Sequence, residues 1–283
     1  MTAPASAVAE APAADPILQV SGVTLRFGGV TSLAEVSLSQ QRGEILAVIG
    51  PNGAGKTSLF NCITGVYRPQ EGRIVLHAKT GESDLVGRAP DRVTRFGVAR
   101  TFQNIRLFNA LTAAENVKIG VESRQHTGPI GAMLRLPRTR REDRESDERA
   151  FELLRFVGLG DRANELAASL PYGDQRRLEI ARALGTSPEL LLLDEPAAGT
   201  NPSEKLELAD LIKTIQRDTG TTILLIEHDM KLVMSVATSV VVLNFGRVIA
   251  AGSPQQVQND PAVIEAYLGT AATADGDGDA PQH

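Results

Sequence analysis

Short, unbroken apolar runs punctuate the chain, each about as long as a buried strand. Residues 45–49, 190–193 and 222–226 are almost wholly aliphatic, as strands covered on both faces of a parallel sheet are. Leu18, Val20, Leu25 and Phe27 are interleaved with polar positions, which predicts a strand pair with one wet face. Residues 240–243 and 248–250 flank Asn244-Phe245-Gly246-Arg247, a hairpin composition.

Helical periodicity alternates with these runs. Leu208, Leu211, Ile212 and Ile215 fall at i, i+3, i+4 and i+7, a single apolar stripe. Asn201 before Pro202 supplies an N-cap with proline at the first helical position, and Gly220 closes the far end. Ala150, Leu153, Leu154 and Val157 mark a second amphipathic helix. Strands alternating with helices predict an α/β fold on a mainly parallel core sheet.

Composition narrows this picture. The chain has 283 residues, 42% of them apolar, enough for a sizeable core that is largely aliphatic because tryptophan is absent. Cys62 is the single cysteine, so no disulfide framework or cysteine-based zinc site is expected. A net charge of −5 argues against gripping nucleic acid. No stretch approaches the ~18 apolar residues of a membrane span. Residues 1–16, and 270–283 with Asp275, Asp277 and Asp279 between glycines, read as disordered tails. Arg135, Arg138, Arg140 and Arg141 stand before an acidic run. They are either the solvated face of a helical insertion or a contact for an acidic partner or lipid headgroups.

The first chemistry lies in Gly50-Pro51-Asn52-Gly53-Ala54-Gly55-Lys56-Thr57, which follows the 45–49 strand and precedes the apolar helix positions Leu59, Phe60 and Ile63. Glycines let backbone N–H groups curl around phosphate oxygens, above the positive end of a helix. Lys56 can reach the β- and γ-phosphates, and the Thr57 hydroxyl can ligate Mg²⁺. Asn52, Gly53, Ala54, Gly55 and Ser58 complete the cradle. A second element, four leucines ending in Asp194, places a hard oxygen donor for Mg²⁺ at a strand end. Glu195 follows, where a base can orient or deprotonate water.

Further segments carry a resemblance. Gln103 in Arg100-Thr101-Phe102-Gln103-Asn104, Leu170-Pro171-Tyr172-Gly173-Asp174-Gln175 and the helix after it, Gly199-Thr200-Asn201-Pro202, and His228 in Ile226-Glu227-His228-Asp229 occur in this order. Over residues 17–269 the chain resembles the ATP-binding subunits of ABC transporters. That resemblance implies a P-loop NTPase of the ABC type, with an antiparallel β subdomain and a helical subdomain near 104–185. It implies that Gln103 touches the metal site, that His228 bonds the γ-phosphate and fixes the attacking water, and that Phe27 stacks on adenine. Tyr172, Gly173 and Asp174 then belong to the signature segment, which completes the ATP site of a second ATPase. The usual segment is Leu-Ser-Gly-Gly-Gln. Pro171 replaces its serine hydroxyl, Tyr172 its first glycine and Asp174 its glutamine, which leaves backbone N–H groups to bind anions.

The wording around Gln103, Asp194, His228 and Tyr267 is similar to the ATPases of branched-chain amino-acid importers, with urea and amide importers close behind. By that resemblance the partners are a second ATPase (a heterodimer, with a homodimer as the alternative), two membrane permeases and an extracytoplasmic solute-binding protein, and the site of action is the cytoplasmic face of the inner membrane. Two rivals differ in what they need. A soluble ABC ATPase acting on ribosomes or DNA carries paired ATPase halves, a coiled coil or a basic arm. A P-loop kinase has no use for the signature segment or His228.

Overall fold

The computed structural model describes residues 16–123 and 137–274, with side chains described over 16–123 and 141–267. Two sheets share the polypeptide. Strands β1 (Pro16–Phe27), β2 (Val30–Gln41), β4 (Glu71–Ala78) and β5 (Gly81–Asp84) form an antiparallel sheet in the order β2-β1-β4-β5. The second sheet contains β3 (Ile45–Ile49), β6 (Val98–Arg100), β7 (Leu190–Asp194), β8 (Thr222–Ile226), β9 (Ser239–Asn244) and β10 (Arg247–Gly252). Its order is β10-β9-β3-β8-β7-β6, parallel except for the β9–β10 hairpin. Every residue of β3, β7 and β8 is buried, as their continuous apolar runs require.

One strand reading needs correction. The segment expected as a strand pair is the single strand β1, paired on both sides by β2 and β4. Gly22, at φ 59°, lies where the β1–β2 register shifts between Val20 and Val23, so the chain bends without turning back. The wet face is real, with Gln19, Ser21 and Arg26 exposed, and Phe27 joins them outside.

The hairpin forms as predicted. Phe245 (φ 43°) and Gly246 (φ 75°) supply the two positive φ angles of a type I′ turn. Helix α6 (Pro202–Thr219) starts from Asn201, whose side chain accepts from Glu204 N, and stops at Gly220, at φ 67°.

Helices α3 (Ala113–Glu122), α4 (Pro137–Phe156) and α5 (Tyr172–Gly185) lie on one another within the expected helical region. Close crossing of α3 and α5 depends on Gly120, where a Cβ would stand 2.1 Å from Arg182 O. Arg135 lies outside the described residues, as do 1–15 and 275–283, and Arg141 is exposed and paired with Glu145 at 2.8 Å. Regular structure runs past the boundary expected at residue 269. Helix α9 (Pro261–Ala274) continues through an alanine-rich stretch of high helix propensity. Cys62 is buried, and burial pushes its thiol up to about 12, so it packs as a small apolar group. No helix among the described residues is long and apolar enough to cross a membrane.

Candidate nucleotide site

Parallel strands deliver the key groups to one edge. Val48 and Asp194 both pair with Ile226, so β3, β7 and β8 end level, and the crevice beyond their carboxyl ends is where such sheets bind ligands. The loop after β3 leads into α1 (Lys56–Ile63). Gly55 precedes that helix at φ 102°, with no side chain capping it, so its first N–H groups are left for an anion. Two glycines here are obligatory. A Cβ on Gly50 would lie 2.0 Å from Leu243 O, and one on Gly55 would lie 2.6 Å from Ser32 O. Asn52 and Gly53 are exposed at the crest while Ala54 is buried beneath.

Lys56 folds over this loop. Its Nζ donates to Gly50 O at 2.7 Å and Pro51 O at 2.9 Å. Burial holds its pKa below the ordinary lysine value, against the upward pull of Glu195 and Asp194. Those two carboxylates are near enough for their charge to act on it. Thr57 is exposed at the helix start, and the Ser58 hydroxyl is engaged by Ser32 Oγ at 2.7 Å.

Glu195 has φ 46°, a left-handed conformation that costs a non-glycine residue about 1–3 kcal/mol. Its Oε2 accepts from Gln103 Nε2 at 2.8 Å and lies 3.9 Å from His228 Nδ1. Gln103, Glu195 and His228, far apart in the sequence, thus form one chain of contacts. The neighbouring Glu227 is wholly buried and accepts from the backbone N–H groups of Ala197, His228 and Asp229. Burial pushes its pKa up while those donors hold it down. It clasps the segments after β7 and β8 together.

The signature residues form a separate group. Tyr172 is exposed at the start of α5, beside Gly199, and Asp174 Oδ2 is 3.4 Å from Arg162 Nε. Arg176 ties this helix to the Gln103 loop. Its Nη1 donates to Phe102 O at 2.7 Å, and its Nη2 bonds Gln103 O and Tyr172 Oη. Glu179, one turn on, accepts from Phe102 N and Arg106 N, both at 3.3 Å.

Phe27 is half exposed, with its ring edge-on to Tyr67 at 5.1 Å between centroids. Thr57, Asp194 and Gln103 offer hydroxyl, carboxylate and amide oxygens, the hard donors that suit Mg²⁺. Among the described residues no cluster of three histidine, cysteine or acidic side chains could hold a metal.

The profile of the ABC transporter family matches residues 33–198, and that of the branched-chain amino acid ATP-binding cassette transporters matches residues 247–273. The chain belongs to the ABC transporter ATP-binding family. This cassette is 48% identical over 256 residues to the high-affinity branched-chain amino acid transport ATP-binding protein LivG of Salmonella typhimurium, covering 90% of this chain and 99% of that protein. Over the same shares it is 46% identical to BraF of Pseudomonas aeruginosa, which bears the same description. A solved ATP-binding cassette in its ADP conformation superposes with a TM-score of 0.77 at 31% identity, covering 90% and 99% of the two chains. A nucleotide-free cassette superposes with a TM-score of 0.76 at 31% identity, covering 89% and 98%. The cassette's chemistry is ATP hydrolysis, and its fold is the ABC-type P-loop NTPase.

Sequence reading missed four residues of this site: Arg100, which pairs with Asp194, and Arg176, Glu179 and Glu227. The available signal was charge in the wrong place. Glu179 lies between buried Leu178 and Ile180, and Glu227 follows the apolar β8 run.

Phe27 gives a direct measurement. Phe27→Ala should weaken ATP binding by about 1–3 kcal/mol if the base stacks there, as base–aromatic contacts do elsewhere. Fluorescence titration with an ATP analogue checks it. Unchanged affinity moves the base elsewhere.

Proposed function

We propose that this chain is an ATPase subunit of an importer for branched-chain amino acids, working at the cytoplasmic face of the membrane with two permease subunits and a solute-binding protein. The observation that carries the reading is the contact chain Gln103–Glu195–His228, which supports a role for Glu195 as base and His228 as a second polar group toward the γ-phosphate. Near-full-length similarity to LivG and BraF supports the solute class.

In this reading the loop of residues 50–57 cradles the triphosphate, and Lys56 shifts from the Gly50 and Pro51 carbonyls to the β- and γ-oxygens. Glu195 orients and deprotonates the attacking water, and His228 holds the γ-phosphate. Thr57, Asp194 and Gln103 would hold Mg²⁺, which would supply positive charge against the phosphates. The start of α5, where Tyr172 is exposed and Gly173 partly so, offers backbone N–H groups to the nucleotide of a second, similar ATPase. One phosphate loop and one signature segment per chain make two composite sites in a dimer. Asp174 serves through its pairing with Arg162.

Uptake tests the whole reading. Cells lacking this chain should lose accumulation of radiolabelled leucine, and the parent chain should restore it where Lys56→Ala does not. Full uptake without the chain rejects the assignment, and uptake supported by Lys56→Ala rejects the role of the phosphate loop.

A further inference from the structure

Arg100 ends β6 three residues before Gln103, and the elements expected to hold Mg²⁺ converge on its guanidinium. Its Nη2 lies 2.6 Å from Asp194 Oδ2. Its Nη1 donates to Asn61 Oδ1 on α1 at 2.7 Å and to Thr64 Oγ1 just past the end of α1 at 3.3 Å. The rings of Phe60 and Phe102 lie 5.6 Å and 5.3 Å from its central carbon. Both partners of the ion pair are buried, with 8% and 4% of their side chains exposed.

Hydrolysis as derived above assigns this guanidinium no task, yet the pair is costly to build. Two charges are withdrawn from water, and removing one would leave the other buried and uncompensated. The local balance explains the arrangement. Lys56 and Arg100 offset Asp194 and Glu195, so the protein's own charges close without a metal. A dication approaching Asp194 meets a fixed positive charge in a poorly screened environment. Phosphate charge must arrive before a second cation is welcome.

We propose that Arg100 is the resident counter-ion of Asp194, a positioning residue that keeps the carboxylate in place and withholds divalent metal until the nucleotide is bound. This rests on the reading of Asp194 as a metal ligand. The guanidinium is held from α1, β7 and the root of the Gln103 loop at once, so its displacement on metal entry is felt by all three.

Mn²⁺ binding to the full chain, followed by electron paramagnetic resonance with and without a non-hydrolysable ATP analogue, tests it. The parent should bind Mn²⁺ only with the nucleotide. Arg100→Gln should bind Mn²⁺ without nucleotide at least tenfold more tightly than the parent, and Arg100→Lys should behave as the parent does. Loss of packing does not raise metal affinity, so a gain separates this role from a structural one. Arg100→Gln with no gain overturns the proposal. If that variant melts early, millimolar Mn²⁺ should restore its melting temperature and leave the parent's unchanged; a variant that metal does not restore overturns it as well. Asp194→Asn separates the two readings. If it leaves nucleotide-linked Mn²⁺ binding intact, the assignment of Asp194 fails. If it abolishes that binding while Arg100→Gln shows no gain, only the counter-ion role fails.

Discussion

Glu195→Gln binds ATP with near-parental affinity and turns it over more slowly by at least about a hundredfold, the usual worth of a positioned base. The substitution keeps the size of the side chain and an oxygen that can still accept from Gln103 Nε2, now 2.8 Å from the carboxylate. What it removes is basicity. The backbone points the same way, because a strained left-handed residue at the end of β7 persists only where its surroundings enforce it. Two anchors do so: Glu195 N donates to Ile226 O at 2.9 Å, and Ala198 N donates to Glu195 O at 3.1 Å. Phosphate release and nucleotide titration on the same preparation separate binding from chemistry. Turnover within a few fold of the parent would remove Glu195 from the role of base and leave it as a prop for Gln103.

The largest effect on stability is expected at Phe60, where truncation to alanine should cost about 3–5 kcal/mol. The ring is fully buried on α1, within the core shared by the two sheets, among Leu33, Leu59, Ile74 and Leu192. It also lies beneath the Arg100 guanidinium. Removing it opens a cavity that rigid strands on either side cannot close, and it strips an aromatic face from a buried cation. Thermal unfolding followed by circular dichroism should show a fall of roughly 10 °C at this chain length. Saturating ATP should recover part of the loss by binding only the folded form. A shift below about 3 °C would mean that the neighbours repack into the space.

Much of the scaffold is legible in sequence because its signals are local. The runs at 45–49, 190–193 and 222–226 have no polar face to offer solvent, so burial on both sides was their only outcome. Asn201-Pro202 and Gly220 announce the ends of α6 through backbone rules that act within a few residues. The phosphate loop is equally local, since its chemistry and its fold are the same eight residues. What escaped is long-range. Arg100 and Asp194 are 94 positions apart and meet only because β6 and β7 pair in register. Glu179 looks like a lapse in an apolar helix face until the Gln103 loop brings two backbone donors to it. The strand pair expected from Leu18, Val20, Leu25 and Phe27 fails for a related reason. Alternation shows which residues face the core, but not whether the chain turns back or continues once a second neighbour is available on its other edge.

The β9–β10 turn has a consequence for recognition. Gly246 N donates to Ala54 O in the phosphate loop at 3.0 Å, and Gly246 O accepts from Ala34 N in β2 at 2.8 Å. The sheet that bears Phe27 is thus stitched to the phosphate cradle through one two-residue tip. If the base stacks on Phe27 as proposed, base platform and phosphate seat are held at a set separation, like the jaws of a caliper, and a nucleotide would be gauged by its length as well as by its ends. An inorganic triphosphate would fill one jaw, and a free nucleoside the other. Only a molecule spanning both draws on the rigidity of the turn. Lengthening the turn by a glycine would let each jaw keep its own grip while the cassette lost its measure of the whole.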